Sequence, residues 1–245
     1  MNPAILSAAS GMVARGDSLQ ALSNNLANTS TVGYKADLDF YRAFQGALSR
    51  PGSDGLGQAL PYAEGAKIDF RQGPLMETGS PLNVALRGPG FLELNGEIGP
   101  MYTRAGELTV APDGTLLGPA GLPVASQEGD PIVIPPNGPI SIDEIGVVRA
   151  GETIAGRIKI VEFSDPPPLA KAGGQLLRPL SEDPPEPAAE TTLQPGYLEA
   201  ANVGVPESFA RLLSVTRHFE MLRRTATLAG DDIDGRALDT LPKTS

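Results

Sequence analysis

The sequence contains no cysteine. Zinc ribbons, disulfide frameworks and thiol catalysis are excluded with it, while the compartment stays open. There is a single histidine, His218. A metal site would therefore rest on carboxylates alone, and a Ser-His-Asp arrangement would have to be built around that one imidazole. No run of about 18 apolar residues occurs, so no helical segment is suited to spanning a bilayer. Residues 1–15 lack a basic start followed by a long apolar block. They are not expected to act as a secretory signal, and any export is expected to take another route. Basic residues are the scarcer charge, 19 Lys and Arg against 29 Asp and Glu, for a net charge of −10. That balance disfavours nucleic acid and anionic membranes as partners.

What is abundant is glycine and proline, 29 and 24 in 245 residues. This is nearly double average usage and points to many turns between short strands. The charge is also unevenly placed. Residues 1–30 and 205–245 are each neutral, so the whole excess of acid lies in residues 31–204. Neutral ends suit packing against each other or against copies, and an acidic middle suits a solvated body.

Residues 3–28 predict a helix. Ile5, Met12, Leu19 and Leu26 recur every seven residues, with Ala8, Ala9 and Leu22 beside them, a heptad-like stripe. Gly11 and Gly16 each weaken it by about 1 kcal/mol relative to alanine. Residues 206–229 predict a second helix. Leu212, Phe219, Ala226 and Ile233 hold one heptad position, and Val215, Leu222 and Ala229 the other. Pro206 followed by Glu207 is a start signal. Gly230-Asp231-Asp232 is a candidate end. Isolated helices of this kind are marginal without a partner, so the ends are expected to order on assembly.

Between the helices the pattern changes. Residues 36–65 read as a loop-like connection, broken at Pro51-Gly52-Ser53-Asp54-Gly55. From residue 66 to 182 short apolar runs alternate with Gly and Pro, which predicts an all-β domain. Asp113-Gly114 between two apolar runs predicts a hairpin. Residues 183–196, rich in Pro, Glu and Ala, read as an extended linker within a return segment 183–204. The fold class is thus mixed α and β: N- and C-terminal coiled-coil-like helices (1–35 and 205–245) packed together, with a central all-β domain.

The run Ser23-Asn24-Asn25-Leu26-Ala27-Asn28-Thr29-Ser30-Thr31-Val32-Gly33-Tyr34-Lys35 resembles the N-terminal signature of the flagellar rod and hook protein family. Three further segments resemble that family in the same order. They are Gln72-Gly73-Pro74-Leu75 through Gly90-Phe91, then Tyr102-Thr103-Arg104 with Gly106, then Leu198-Glu199-Ala200-Ala201-Asn202-Val203 through Arg217-His218-Phe219-Glu220. Asn83, Leu92, Ala105 and Ala201 depart from the usual pattern. The short chain and the short 36–65 segment resemble proximal rather than distal rod members.

The resemblance implies a structural subunit of the basal-body rod in the periplasm, with no catalysis and no cofactor. It implies that terminal helices of many copies pack into a tubular helical assembly, with the β domain outside. Implied partners are further copies, other rod proteins including the distal rod, and the flagellar type III export apparatus. Neither nucleic-acid binding nor membrane insertion is implied. The expected assembly contacts on the first helix and its turn are Ile5, Met12, Leu19, Leu22, Asn24, Asn25, Leu26, Asn28 and Gly33. On the second helix they are Leu212, Val215, Phe219, Glu220, Leu222 and Ala226.

The competing reading is an enzyme or binding module in the β domain, with the helices as an oligomerisation stalk. Its candidates are carboxylates by type only: Glu93, Asp113, Asp143 and Glu144. Gly88-Pro89-Gly90 lacks the Lys-Ser/Thr pair and following helix of a phosphate loop and reads as a tight turn. Asp231, Asp232 and Asp234 lack the spacing of a calcium loop and read as a solvated helix end.

Overall fold

In the computed structural model the described residues are 3–38, 41–43, 61–63, 67–136, 138–164, 167–181 and 183–239. The chain divides into two compact units. One comprises Met1–Leu26, Asp37–Lys67 and Gly204–Ser245, the other Ala27–Ala36 and Ile68–Val203.

The first unit carries both long helices, α1 (Pro3–Ala27) and α2 (Val205–Asp239). α2 runs straight through Gly230-Asp231-Asp232. A single glycine costs a helix interior only about 1 kcal/mol, too little on its own to end one. The segment expected to be a loop holds an antiparallel pair, Tyr41–Ala43 with Pro61–Ala63. Residues 39–40, 44–60 with the Pro51–Gly55 break, and 64–65 of that expectation lie outside the described residues.

On α1 the buried positions are Gly11, Ser18, Ala21, Leu22 and Asn25, while Met12, Leu19 and Leu26 are half-buried. The most buried face is therefore one residue out of phase with the apolar heptad, and besides Leu22 small or amide side chains form it. On α2 the periodicity and the burial agree. Val215 is buried, and Leu212, Phe219 and Leu222 are half-buried at alternating spacings of three and four. Ile5 and Ala226 have side chains outside the described ones.

The second unit is built of short antiparallel strands, as the punctuation by Gly and Pro predicts. Its main sheet has six strands in the order Leu169–Gly173, Leu176–Pro179, Pro100–Thr103, Phe91–Asn95, Ile160–Glu162, Glu186–Pro187. A second sheet joins Ile140–Ile142, Val147–Ala150 and Thr153–Arg157. The Asp113-Gly114 hairpin forms, pairing Thr109–Val110 with Leu116–Leu117. Asp113 Oδ1 accepts the Thr115 amide at 3.0 Å, and Gly114 takes φ of 90°.

Strand Phe91–Asn95 lies between two apolar clusters. Successive side chains of a strand point to opposite faces. Leu92 and Leu94 enter the larger cluster with Val84, Leu86, Leu116 and Ile158. Phe91 enters the other with Tyr102, Val161, Leu169 and Leu177. Edge-on ring contacts tie this second cluster together, with centroids 4.9 Å apart for Tyr102–Phe163 and 5.9 Å for Phe91–Phe163.

The stretch read as an extended linker holds two strands instead. Glu186–Pro187 joins the edge of the six-stranded sheet, and Thr192–Pro195 pairs with Val84–Arg87. Leu193 is fully buried there. One buried leucine and partners about a hundred residues upstream outweigh a composition that favours extended chain, because context dominates strand preference.

Candidate functional site

The four signature segments meet at one place in the second unit. Its centre is Glu199, at the end of strand Tyr197–Glu199, which pairs with Leu75–Glu77. The Glu199 side chain is 1% exposed. Its Oε1 accepts the Lys35 ammonium at 2.7 Å and the Gly73 amide at 2.8 Å. Its Oε2 faces Arg104 Nη1 at 3.5 Å. Lys35 and Arg104 are each 2% exposed.

Three buried charges need other partners, because an ion taken out of water costs several kcal/mol unless its hydrogen bonds are replaced. Lys35 Nζ also donates to the Arg71 carbonyl at 2.8 Å. Arg104 Nη2 donates to the Gly88 carbonyl at 2.7 Å, and the guanidinium lies 4.9 Å from the Phe91 ring centroid. Burial pushes the Lys35 ammonium below the ordinary lysine range, with Glu199 pulling it back. Arg104 is lowered by burial in the same way, and Glu199 opposes that shift too.

The backbone around the triad is stitched as tightly. The Gly33 amide donates to the Glu199 carbonyl at 2.7 Å. The Ala36 amide donates to Asn202 Oδ1 at 2.7 Å, and Asn202 Nδ2 donates to the Asp69 carbonyl at 2.7 Å. Gly33 has φ of 67°, and a Cβ there would collide with the Ala105 amide nitrogen. Both facts demand glycine. Ala105, a departure from the family pattern, is 1% exposed directly beneath it.

The sequence-expected contact residues fall into three groups. Leu212, Val215, Phe219 and Leu222 share the covered face of α2, while Glu220 is exposed. Asn25, Asn28 and Gly33 shape the end of α1. Asn25 Nδ2 donates to the Asp37 carbonyl and its Oδ1 accepts the Asp37 amide, both at 2.8 Å. Asn28 Oδ1 accepts the Thr31 hydroxyl at 3.2 Å. Asn24 is exposed and accepts from Gln20 on its own helix. Met12, Leu19, Leu22 and Leu26 are distributed along α1, with Leu22 buried and the other three half-buried.

Sequence reasoning missed Lys35, Arg104, Glu199 and Asn202 as a set. Each stands inside one of the four signature segments. Three of the four carboxylates of the enzyme reading, those of Glu93, Asp113 and Asp143, have structural duties, and Glu144 contributes its backbone carbonyl. Glu93 holds Lys159 at 2.8 Å. Asp143 Oδ1 accepts the Ile145 and Val147 amides, and the Glu144 carbonyl accepts the Leu193 amide. His218 is exposed on α2.

The arrangement, a β-rich unit with clasped ends between two long helices in the sequence, fits a structural subunit. Known proteins agree. Residues 5–35 match the family model described as flagella basal body rod protein, and residues 85–150 match the flagellar hook protein FlgE/F/G D1 domain. The flagellar basal-body rod protein FlgF of Caulobacter vibrioides is 31% identical, over 88% of this chain and 90% of its own length. FlgF of Salmonella typhimurium is 33% identical over 87% and 88%. FlgG of Agrobacterium fabrum is 27% identical over 93% and 95%. The chain belongs to the flagellar basal-body rod protein family. It is a structural subunit of the basal-body rod and not an enzyme.

Proposed function

We propose that this subunit enters the rod through its two terminal helices, packed together as coiled-coil-like elements of an axial core formed by residues 1–35 and 205–245. Further copies and the neighbouring rod proteins, the distal rod among them, are its partners. Residues 66–182, with the strands of the return segment 183–204 paired onto them, form the outer domain, and 36–65 is its connection. The assembly residues are the α2 stripe Leu212, Val215, Phe219, Leu222 and Ala226 with Glu220. On the first helix and its turn they are Ile5, Met12, Leu19, Leu22, Asn24, Asn25, Leu26, Asn28 and Gly33. The position in the rod is proximal, as the similarity to FlgF favours. The chain reaches it unfolded through the flagellar type III export apparatus, a route to which the lack of cysteine is no obstacle.

The observation that carries this reading is the second apolar row of α2. Val205, Phe209, Leu213 and Met221, spaced by four or eight, are 41%, 48%, 60% and 55% exposed. An isolated chain gains little from such a row, whereas burying each side chain stabilises a contact by about 1.5–3 kcal/mol. A helix with one covered and one exposed apolar face suits head-to-tail packing that does not close on itself. The test is Leu213→Glu, scored by recovery of the protein in purified hook–basal bodies. Loss from the rod with normal levels in the cell supports the reading, and normal incorporation overturns it.

A further inference from the structure

We infer that Glu199 is a positioning residue that makes the docking of two remote segments, 33–36 and 199–202, one event. The inference concerns the single chain and holds whether or not the helices polymerise.

Each segment supplies what the other lacks. Docked alone, residues 33–36 would bury the Lys35 ammonium with one carbonyl, that of Arg71, as its hydrogen-bond partner. Residues 199–202 docked alone would bury a carboxylate with the Gly73 amide and a guanidinium 3.5 Å away. Both half-docked states leave a desolvated charge undercompensated, which is strongly unfavourable. Together they close the pair at 2.7 Å. The backbone bonds follow the same division. Gly33 N donates to Glu199 O, Ala36 N to Asn202 Oδ1, and Asn202 N to Tyr34 O, so none of the three forms until both segments are in place.

The partners are 164 residues apart in sequence. A chain appearing from its N-terminus therefore leaves residues 33–36 undocked until residue 199 arrives. The segment that follows α1 and the one that precedes α2 are then fixed in a single step.

Hydrogen–deuterium exchange on the purified full chain tests this with Glu199→Gln. The Ala36 amide makes no bond to the Glu199 side chain, so it reports coupling rather than direct contact. Exchange at Ala36 and Gly33 should rise at least tenfold together with that at Gly73. The amides of Asn95 and Leu116, bonded to Pro123 and Ile132 inside the sheets, should keep their wild-type rates. Lys35→Met should release the Ala200 amide, held by Pro74, in the same way. Lys35→Arg, which keeps the cation, should largely restore protection. A rise confined to Gly73 overturns the inference. So does a uniform rise that includes Asn95 and Leu116, because Glu199 would then support the whole unit and not the docking of two segments. Should Glu199→Gln not yield folded protein, Glu199→Asp, which retains the charge on a shorter arm, is read with the same reporters and the same outcomes.

Discussion

The β-rich unit and helix α2 bury their apolar side chains to different depths. In the former Val84, Leu86, Leu92, Leu94 and Leu116 are fully enclosed. In the latter one described side chain, Val215, falls in the buried class, and four large apolar residues stand at 41–60% exposure. The β unit encloses its core and its ion pairs within one chain, although Met76, Ile98, Val133, Ile145, Ile154 and Leu180 stand exposed on its surface. Among its described side chains the helix covers one apolar row and leaves another exposed. The stability of the β core and assembly through the exposed row of α2 are thereby assigned to different residues, and substitutions should separate them.

The largest loss of stability should come from the β core. Phe91→Ala removes a ring that touches both Phe70 and Phe163 and underlies Arg104. It should cost about 3–5 kcal/mol in chemical denaturation. A cost below about 1 kcal/mol would mean that the unit is not closely packed and that the contrast with α2 is false.

A pH measurement sharpens the same point. Burial, with the Glu93 carboxylate adding to it, pushes the Tyr102 phenol up to about 12 from its usual 10.0. A raised folded value means that the folded state holds its proton longer. The stability tied to the neutral phenol is complete below pH 10 and is lost as pH rises toward 12. At about 1.4 kcal/mol per pH unit, the loss is bounded by about 3 kcal/mol. Tyr102→Phe should flatten the fall over that window, and an identical slope in the two proteins would disprove the assignment.

Gly33→Ala should have a smaller effect, of about 1–3 kcal/mol, because it combines a left-handed backbone with a collision at Ala105. Thermal unfolding of the purified chain measures it. The smallest effect belongs to α2. Leu213→Glu should change monomer stability by less than about 0.5 kcal/mol, as exposed substitutions generally do. A destabilisation like that of Phe91→Ala would show that this face of α2 is already packed within the single chain, as the sheets are.

Much of this arrangement is legible in the sequence, and the failures have physical causes. The α2 stripe is readable because its large apolar residues coincide with its covered face. The α1 face is misphased because Gly11, Ser18 and Asn25 carry no apolar signal, although they are buried. Strand Thr192–Pro195 is hidden because its preference comes from Val84–Arg87 and not from its own Pro- and Glu-rich surroundings. The clasp is hidden for a related reason. Lys35, Arg104 and Glu199 each look like surface charges, and their separations of 95 and 164 residues give local pattern nothing to compare. Motif resemblance marks the right segments without revealing that they touch.

The bond from the Ala36 amide to Asn202 Oδ1 joins the place where the chain enters the β unit to the place where it leaves. A body whose doorway and exit share one threshold behaves as an excursion from the main path. Such an excursion can be enlarged, trimmed or exchanged for another without rerouting what lies on either side. The clasp therefore offers evolution, and protein engineers, a natural grafting point: a cargo domain installed above it would inherit the anchorage, provided that Lys35, Glu199 and Asn202 stay in place together with Asp69, Arg71, Gly73 and Arg104, which hold them.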